Sequence, residues 1–125
     1  MKKIIFACLL LVIMAGCATQ ADAPDAVENY LKALVTKDRE QFVKLFCADY
    51  EAAALIEFDS FGAVDAKLDG LACESAGTDG NATLVACQGQ ITVTYQGENN
   101  QILSLADNVY RVVQEGGEWK LCGYQ

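Results

Sequence analysis

The chain has 125 residues, enough for one domain with a modest hydrophobic core. It is acidic, with 17 aspartates and glutamates against 9 lysines and arginines, and it has six cysteines and no histidine. Because nucleic-acid binding and electrostatic attachment to anionic lipid both need a basic surface, this composition argues against both. It favours a soluble acidic surface.

The first segment has the pattern of an export signal. Met1–Lys3 is a short basic region, and the apolar run Ile4–Met14 is too short to span a bilayer comfortably. The run ends in Met14-Ala15-Gly16-Cys17, which resembles the lipobox of bacterial lipoprotein signal peptides. The resemblance implies cleavage between Gly16 and Cys17. Cys17 would then carry acyl chains such as palmitate as the first residue of the mature protein.

This resemblance divides the chain into a signal peptide (1–16), a flexible tether (17–24) and a domain (25–125). A chain that begins at Cys17 has a net charge of −10, since both lysines before it are removed and all the acids remain. Two or three acyl chains, at about 0.8 kcal/mol per buried methylene, would hold it on the extracytoplasmic face of the cell membrane or outer membrane. Two alternatives are ordinary secretion after an A-x-A site at Ala21–Ala23, or an uncleaved apolar anchor.

Three helices are predicted to open the domain. Asp25, with a glutamate three residues later, has the pattern of an N-cap, and apolar residues at helical spacing predict a helix over Ala26–Thr36. Asp38 is expected to cap a short second helix that ends near Cys47. A third helix is predicted over Tyr50–Asp59, with the preceding aspartate as its N-cap.

A long strand over Asn81–Gly97 is the strongest signal in the chain. Its odd positions are mostly apolar and its even positions mostly polar and uncharged, which is the period of a strand with one buried face. Gly89 lies in the middle of this run and predicts a β-bulge. The other strands are expected at Ala63–Ser75, Ile102–Val113 and Trp119–Tyr124, with turns at Gly77–Gly80, Gly97–Asn100 and Glu115–Glu118.

Three helices followed by an antiparallel meander resemble the nuclear-transport-factor-2-like, or cystatin-like, α+β cone. The likeness begins with the helix Asp25–Leu34 and the following Lys37-Asp38. Cys47–Glu51, Cys87–Gly89 and Glu118–Tyr124 resemble an uncharacterised bacterial lipoprotein branch of that superfamily. The resemblance implies N-terminal helices packed on the concave face of a curved antiparallel sheet. It implies little about activity, because this fold hosts enzymes, binding proteins and scaffold modules.

Four cysteines follow the lipobox, and export to an oxidising compartment favours two disulfides. Cys73 and Cys87 lie symmetrically about the Gly80 turn, so they are expected to pair across two strands. Cys47 and Cys122 then form the second bond. A metal site is disfavoured, because the chain has no histidine and no C-x-x-C motif. No cofactor is expected.

Some members of the superfamily carry out acid–base chemistry inside the cone, typically with an aspartate and a histidine or tyrosine. This chain has no histidine, and each candidate has a simpler structural role, so no catalytic residue is assigned. The candidates are Asp49, Tyr50, Glu57, Asp59, Asp107 and Tyr110.

The favoured function is a non-catalytic binding or interaction module for an apolar small molecule or a protein. Its pocket lining would consist of Tyr30, Phe42, Phe46, Val85, Ile91 and Trp119, although the favoured expectation is that these side chains fill the core themselves.

Two further expectations concern partners and activity. Gln88, Gln90, Thr92 and Thr94 predict an uncharged outer sheet face for a homodimer, or an ordinary solvated face. The alternative function is an isomerase or hydro-lyase, which predicts a water-accessible cavity with at least two convergent polar groups.

Overall fold

The structure is a computed structural model that describes residues 22–125, apart from the side chains of Glu98 and Asn99. The predicted signal peptide, Cys17 and most of the predicted tether lie outside the described residues. Within residues 22–125, every helix is too short or too polar to cross a membrane.

The first helix, α1, covers Ala23–Thr36 and begins three residues earlier than predicted. Asp22 is its N-cap and accepts from the Asp25 backbone N–H at 3.0 Å, while the Asp25 carboxylate accepts from the Asp22 N–H at 3.4 Å. Asp25 therefore completes a capping box at the third helical position, and the prediction that it is the N-cap was wrong. Pro24 lies in the first turn, where a missing N–H costs nothing.

The next two helices are short. Asp38 caps α2 (Arg39–Phe42) as predicted, accepting from the Gln41 N–H at 3.2 Å. This helix has only one turn, because the chain then extends to pair with the last strand. A 3₁₀ helix (Ala48–Tyr50) leads into α3 (Glu51–Phe61). Asp49 lies inside the 3₁₀ helix and does not cap α3, contrary to prediction.

Five strands form one antiparallel sheet in which β2 is central. One edge of β2 pairs with β1 along its length, and the other edge is shared by β4 and then β3. β5 pairs with the far edge of β4. The strands are β1 (Asp65–Asp79), β2 (Ala82–Tyr95), β3 (Glu98–Ser104), β4 (Val109–Glu115) and β5 (Glu118–Tyr124).

The predicted third strand is two strands. The 3₁₀ helix Leu105–Asp107 separates β3 from β4 and buries Leu105 against the core. The turn before β3 is also shorter than predicted, because Gln96 and Gly97 both adopt positive φ and close a two-residue hairpin.

The predicted bulge lies at Gly89. Asp69 pairs with Gln90, but the next partner of β2 is Ala72, so two residues of β1 oppose Gly89. Gly89 has φ +106°, and a Cβ there would lie 2.5 Å from the Asp69 carbonyl oxygen. The bulge reverses the alternation along β1, so Cys73 rather than Ala72 faces the core.

The core lies between α1 and the sheet. The Phe42 ring lies 4.7 Å from the Tyr30 ring, 5.4 Å from Phe46 and 4.8 Å from Phe58, centroid to centroid. The largest fully buried side chains come from α1, α2 and the strands: Val27, Tyr30, Leu34, Phe42, Val85, Cys87, Val112 and Leu121. The architecture is therefore α+β, as predicted, with helices packed on an antiparallel sheet.

Two disulfides stabilise this arrangement, as the sequence predicted. Cys73 bonds to Cys87 across β1 and β2 with a Cα–Cα distance of 4.1 Å, and Cys47 bonds to Cys122 at 5.3 Å. Beside the second bond, the Leu121 N–H donates to the Leu45 carbonyl at 2.9 Å. Together these contacts fix the start of α3 against the end of β5.

Candidate functional site: a carboxyl group among tyrosines

Glu57 of α3 is the centre of the most chemically distinctive group in the fold. Tyr30 of α1 donates its hydroxyl to Glu57 Oε1 at 3.1 Å, and Tyr124 of β5 donates to Oε2 at 3.0 Å. These residues are 27 and 67 positions from Glu57 in sequence. The site therefore exists only because α1, α3 and β5 meet, and the Cys47–Cys122 bond holds β5 against the segment that leads into α3.

Two more tyrosines complete the group. The Tyr124 ring lies 6.5 Å from that of Tyr50 and 5.7 Å from that of Tyr110, centroid to centroid. Tyr30 and Tyr110 are buried, Tyr50 is half-buried, and Tyr124 is 42% exposed. We call Glu57 and these four residues the tyrosine–glutamate cluster.

Burial dominates the electrostatics of the cluster. It raises the pKa of the Glu57 carboxyl above its ordinary value, and the hydrogen bonds from Tyr124 and Tyr30 lower that pKa and partly offset the effect. Burial, followed by the nearby Glu57 charge, raises the pKa of Tyr124 and of Tyr50 to about 12. Burial and the same carboxylate also raise the pKa of Tyr30. These hydroxyls therefore stay protonated at neutral pH and act as donors.

Tyr110 behaves in the same way. Burial raises its pKa to about 12, although a hydrogen bond with the Asn108 side chain lowers the pKa and partly offsets the effect of burial. None of the four tyrosines therefore has a pKa near neutral, which a base or a nucleophile would need.

A pocket of about 210 Å³ opens beside the cluster. Its walls are mainly apolar, and its polar members include Glu57, Tyr110 and Tyr124. Of the described residues that line it, Glu57 alone carries a formal charge. The remaining lining residues are Leu31, Leu34, Phe61, Ile91, Leu103, Ser104, Leu105 and Asn108. We call this the Glu57 pocket.

Most of the side chains predicted to line a pocket fill the core. Tyr30, Phe42, Phe46 and Val85 are buried among one another and their neighbours. Ile91 alone among the six lines the Glu57 pocket. Trp119 lines a separate open groove of about 560 Å³, together with residues of α1 and of the segment after α2.

The structure brings together three of the six catalytic candidates, Tyr50, Glu57 and Tyr110. Asp49 and Asp107 are exposed, and Asp59 faces Arg39 at 3.4 Å on the surface.

Sequence reasoning did not assign a role to Tyr124. A signal was present, because Tyr124 lies two residues after Cys122, and the predicted bond to Cys47 brings it to the start of α3.

The donor atoms of Cys47, Cys122 and Glu115 lie within 4.8 Å of one another. This grouping offers no metal site, because the two sulfurs are bonded to each other and cannot act as thiolate ligands.

The outer face of the sheet is less uniform than predicted. Gln88 is exposed, whereas Thr92 and Thr94 are half-buried, and Thr94 donates to the Asn100 side chain at 2.7 Å. Ile102, opposite Thr92 on this face, is 62% exposed. Dimerisation through this surface stays a prediction.

No protein-family model matches this chain, and no curated protein matches its sequence. Among solved structures, it is similar to the solution structure of a SEC-C motif-containing protein from Rhodopseudomonas palustris. The TM-score is 0.55 at 12% identity, with 85% of this chain and 80% of that chain covered. At such low identity the likeness shows the fold alone.

Proposed function

We propose that this protein is a lipid-anchored extracytoplasmic module, with a nuclear-transport-factor-2-like domain, that binds a small, mainly apolar molecule in the Glu57 pocket. The single observation that carries the binding function is the pocket itself. Apolar walls supply most of the binding free energy in such sites, and a few placed polar groups fix the orientation of the ligand. The Glu57 pocket has this composition, with apolar side chains from α1, α3, β2 and β3 around one carboxyl group.

The pocket is also held in shape before any ligand arrives. Tyr30 and Tyr124 fix the Glu57 carboxylate from two sides, and the Cys47–Cys122 bond joins β5, which carries Tyr124, to the segment that leads into α3. A pre-organised site loses less conformational entropy on binding than one that must first be ordered.

Two observations support the extracytoplasmic location. The four cysteines of the domain form two disulfides, which persist in oxidising compartments and are rare in the cytosol. The lipobox-like run before Cys17 supplies the anchor. Intact-mass analysis of protein extracted from bacterial membranes tests this: we expect an acylated mature chain that begins at Cys17. An unmodified chain that begins at Pro24 would contradict the proposal.

Binding in the Glu57 pocket can be tested with a matched pair of variants on β3. Leu103 pairs with Ile91, lines the pocket and is 38% exposed, whereas Ile102 pairs with Thr92 and points to the opposite face. Leu103→Trp should fill the pocket and Ile102→Trp should leave it open.

Indole serves as a small apolar probe in titration calorimetry. We expect wild-type protein and Ile102→Trp to bind indole equally and Leu103→Trp to lose binding by at least tenfold. Equal binding by all three proteins, or no binding by wild type across a broad panel of apolar compounds, would refute the proposal.

One observation keeps an enzyme as the second candidate. The pocket is open to solvent, and Glu57, whose pKa is raised, lies there with the hydroxyls of Tyr110 and Tyr124. A carboxyl with a raised pKa is suited to general acid–base chemistry, such as proton transfer next to a carbonyl group. Binding is favoured because the pKa values of all four tyrosines are raised, so none of them forms a matched acid and base pair with Glu57 at neutral pH.

Proton exchange in D₂O distinguishes the two candidates. An isomerase would exchange the α-protons of bound carbonyl compounds faster than buffer does, and Glu57→Gln would abolish that exchange. A binding module leaves the exchange rate unchanged while still binding the compounds.

A further inference from the structure

We infer that the Glu57 pocket selects small ligands that carry a protonated amine on an apolar body. This inference rests on the proposed binding function and names the chemical class of its ligand. It follows from the hydrogen-bonding atoms that the cluster leaves available, from the charge of the pocket walls and from the placement of the tyrosine rings.

The cluster presents acceptors to the pocket. A tyrosine hydroxyl has one hydrogen, and those of Tyr30 and Tyr124 are committed to Glu57 at 3.1 and 3.0 Å. The Tyr124 oxygen therefore offers only lone pairs to a ligand. A carboxylate has about four acceptor positions, of which these two bonds occupy two, so Glu57 also retains acceptor capacity. Other lining residues, Ser104, Asn108 and Tyr110, can donate hydrogen bonds. Directly beside Glu57 and Tyr124, however, a ligand group meets acceptors, and an ammonium group can donate three hydrogen bonds to them.

The charge of the pocket favours a cation. Among residues 22–125, Glu57 is the only charged side chain in the lining, and no lysine or arginine of this part of the chain lines the pocket to pair with an anionic ligand. A carboxylate ligand would face Glu57 as a like charge in a partly desolvated site, which is unfavourable. An ammonium group would give Glu57 the opposite charge that it lacks among its protein neighbours.

The tyrosine rings add to this preference. Tyr110 and Tyr124 both line the pocket, with ring centroids 5.7 Å apart, next to the carboxyl group. The faces of tyrosine rings attract cations, and cages of aromatic side chains recognise quaternary ammonium ligands in this way. The apolar body of the ligand would then contact the leucines that line the pocket, together with Phe61 and Ile91.

The fit of the carboxyl to this role is also electrostatic. Burial raises the pKa of Glu57, which means that its charged form is under-solvated in the free protein. A bound ammonium group would compensate for that lost hydration, whereas a neutral alcohol would do so only weakly.

The experiment compares benzylamine, benzyl alcohol and benzoate, which share one apolar body and differ in the polar group. The full chain is reconstituted in phosphatidylcholine nanodiscs and titrated by calorimetry at pH 7, with empty nanodiscs as the blank. A charge-assisted hydrogen bond contributes about 1.4 kcal/mol more to the free energy of binding than a neutral one, which corresponds to roughly tenfold in affinity. We therefore expect benzylamine to bind about tenfold more tightly than benzyl alcohol, and benzoate to bind more weakly than both.

Variants assign the preference to Glu57. Glu57→Gln keeps the shape of the side chain and removes its charge, so benzylamine and benzyl alcohol should bind it with equal affinity. Glu74→Gln removes the same charge from an exposed position of β1 outside the pocket and should keep the tenfold preference.

Two further outcomes separate the inference from the proposed function. Equal binding of the amine and the alcohol to wild type, or tighter binding of benzoate, overturns the inference and leaves the binding function standing. Binding of none of the three compounds, together with no binding of indole, overturns both.

Discussion

Removing the Tyr30 hydroxyl tests the tyrosine–glutamate cluster directly. The Tyr30 side chain is fully buried, so in Tyr30→Phe no water replaces the hydroxyl that donates to Glu57 at 3.1 Å. A hydrogen bond to a charged group is worth about 1.5–3 kcal/mol, and one between neutral groups about 0.5–1.5 kcal/mol. We therefore expect Tyr30→Phe to lower the free energy of unfolding by about 2 kcal/mol at a pH above the raised pKa of Glu57, where the carboxyl is ionised, and by about half as much at pH 3, where it is protonated.

The loss depends on pH for a reason that can be measured separately. The Tyr30 hydroxyl stabilises the ionised carboxylate, so its removal should raise the pKa of Glu57 further above its ordinary value. Carbon-13 NMR of the Glu57 carboxyl in both proteins would show this shift directly.

Tyr124→Phe is the matched control, because it removes the other hydroxyl that donates to Glu57. Tyr124 is 42% exposed, so water can replace its hydroxyl, and the cost should stay within about 0.5 kcal/mol. The assay is urea unfolding without reductant on a soluble chain that begins at Ala18. Equal costs for the two variants, or a Tyr30→Phe cost that is the same at both pH values, would refute the reasoning.

Three further changes should have distinct outcomes. Gly89→Ala should destabilise the fold by about 3 kcal/mol in urea unfolding, since its Cβ would meet backbone atoms at 2.5–2.7 Å. Gly77 also has positive φ but has open space around it, so Gly77→Ala should cost clearly less. Similar losses of unfolding free energy in the two variants would contradict the clash at Gly89. Because the folded-state pKa of Glu57 is raised, its contribution to stability is full below its ordinary pKa of 4.5 and is lost as pH rises through the raised value. Glu57→Gln should therefore gain stability relative to wild type as the pH rises above 4.5, and a flat difference in unfolding free energy would count against this. Replacing Cys47 and Cys122 by serine opens a loop of 75 residues, and the chain-entropy model predicts a loss of about 4.5 kcal/mol in the free energy of unfolding. Thermal unfolding measures this loss, and a value under about 1 kcal/mol would show that the bond contributes little to stability.

Local patterns were enough to predict some elements of this fold. The period-two alternation of β2 and the side-chain cap of Asp38 are both decided by neighbouring residues, and the structure confirms both. The bulge at Gly89 was also predicted, but its partner residues were not. The additional residue lies in β1 and reverses which of its side chains face the core. That reversal depends on the register between β1 and β2, which the sequence of one strand alone does not determine.

Other boundaries failed because two local signals competed. Asp22 and Asp25 each precede an acidic residue by three positions, so both have the pattern of a capping box. The structure uses Asp22, which places Pro24 in the first turn. The prediction of one continuous strand over Ile102–Val113 was wrong for a tertiary reason, since Leu105 lies in a 3₁₀ helix and packs into the core.

The candidate site was only partly predictable. Glu57 and Tyr110 were among the residues with plausible chemistry, but nothing local shows that they meet. Their approach depends on the segment after α2, which pairs with β5 at Leu121. The predicted Cys47–Cys122 bond was the one sequence feature that carried this long-range information.

Binding in the Glu57 pocket is tested most directly by an amide chemical-shift map recorded while indole is titrated into the protein. If indole occupies this pocket, the shift changes concentrate around it, at Phe61, Leu103, Leu105 and Tyr110. Changes that centre instead on the groove beside Trp119, or no changes at saturating indole, would contradict it.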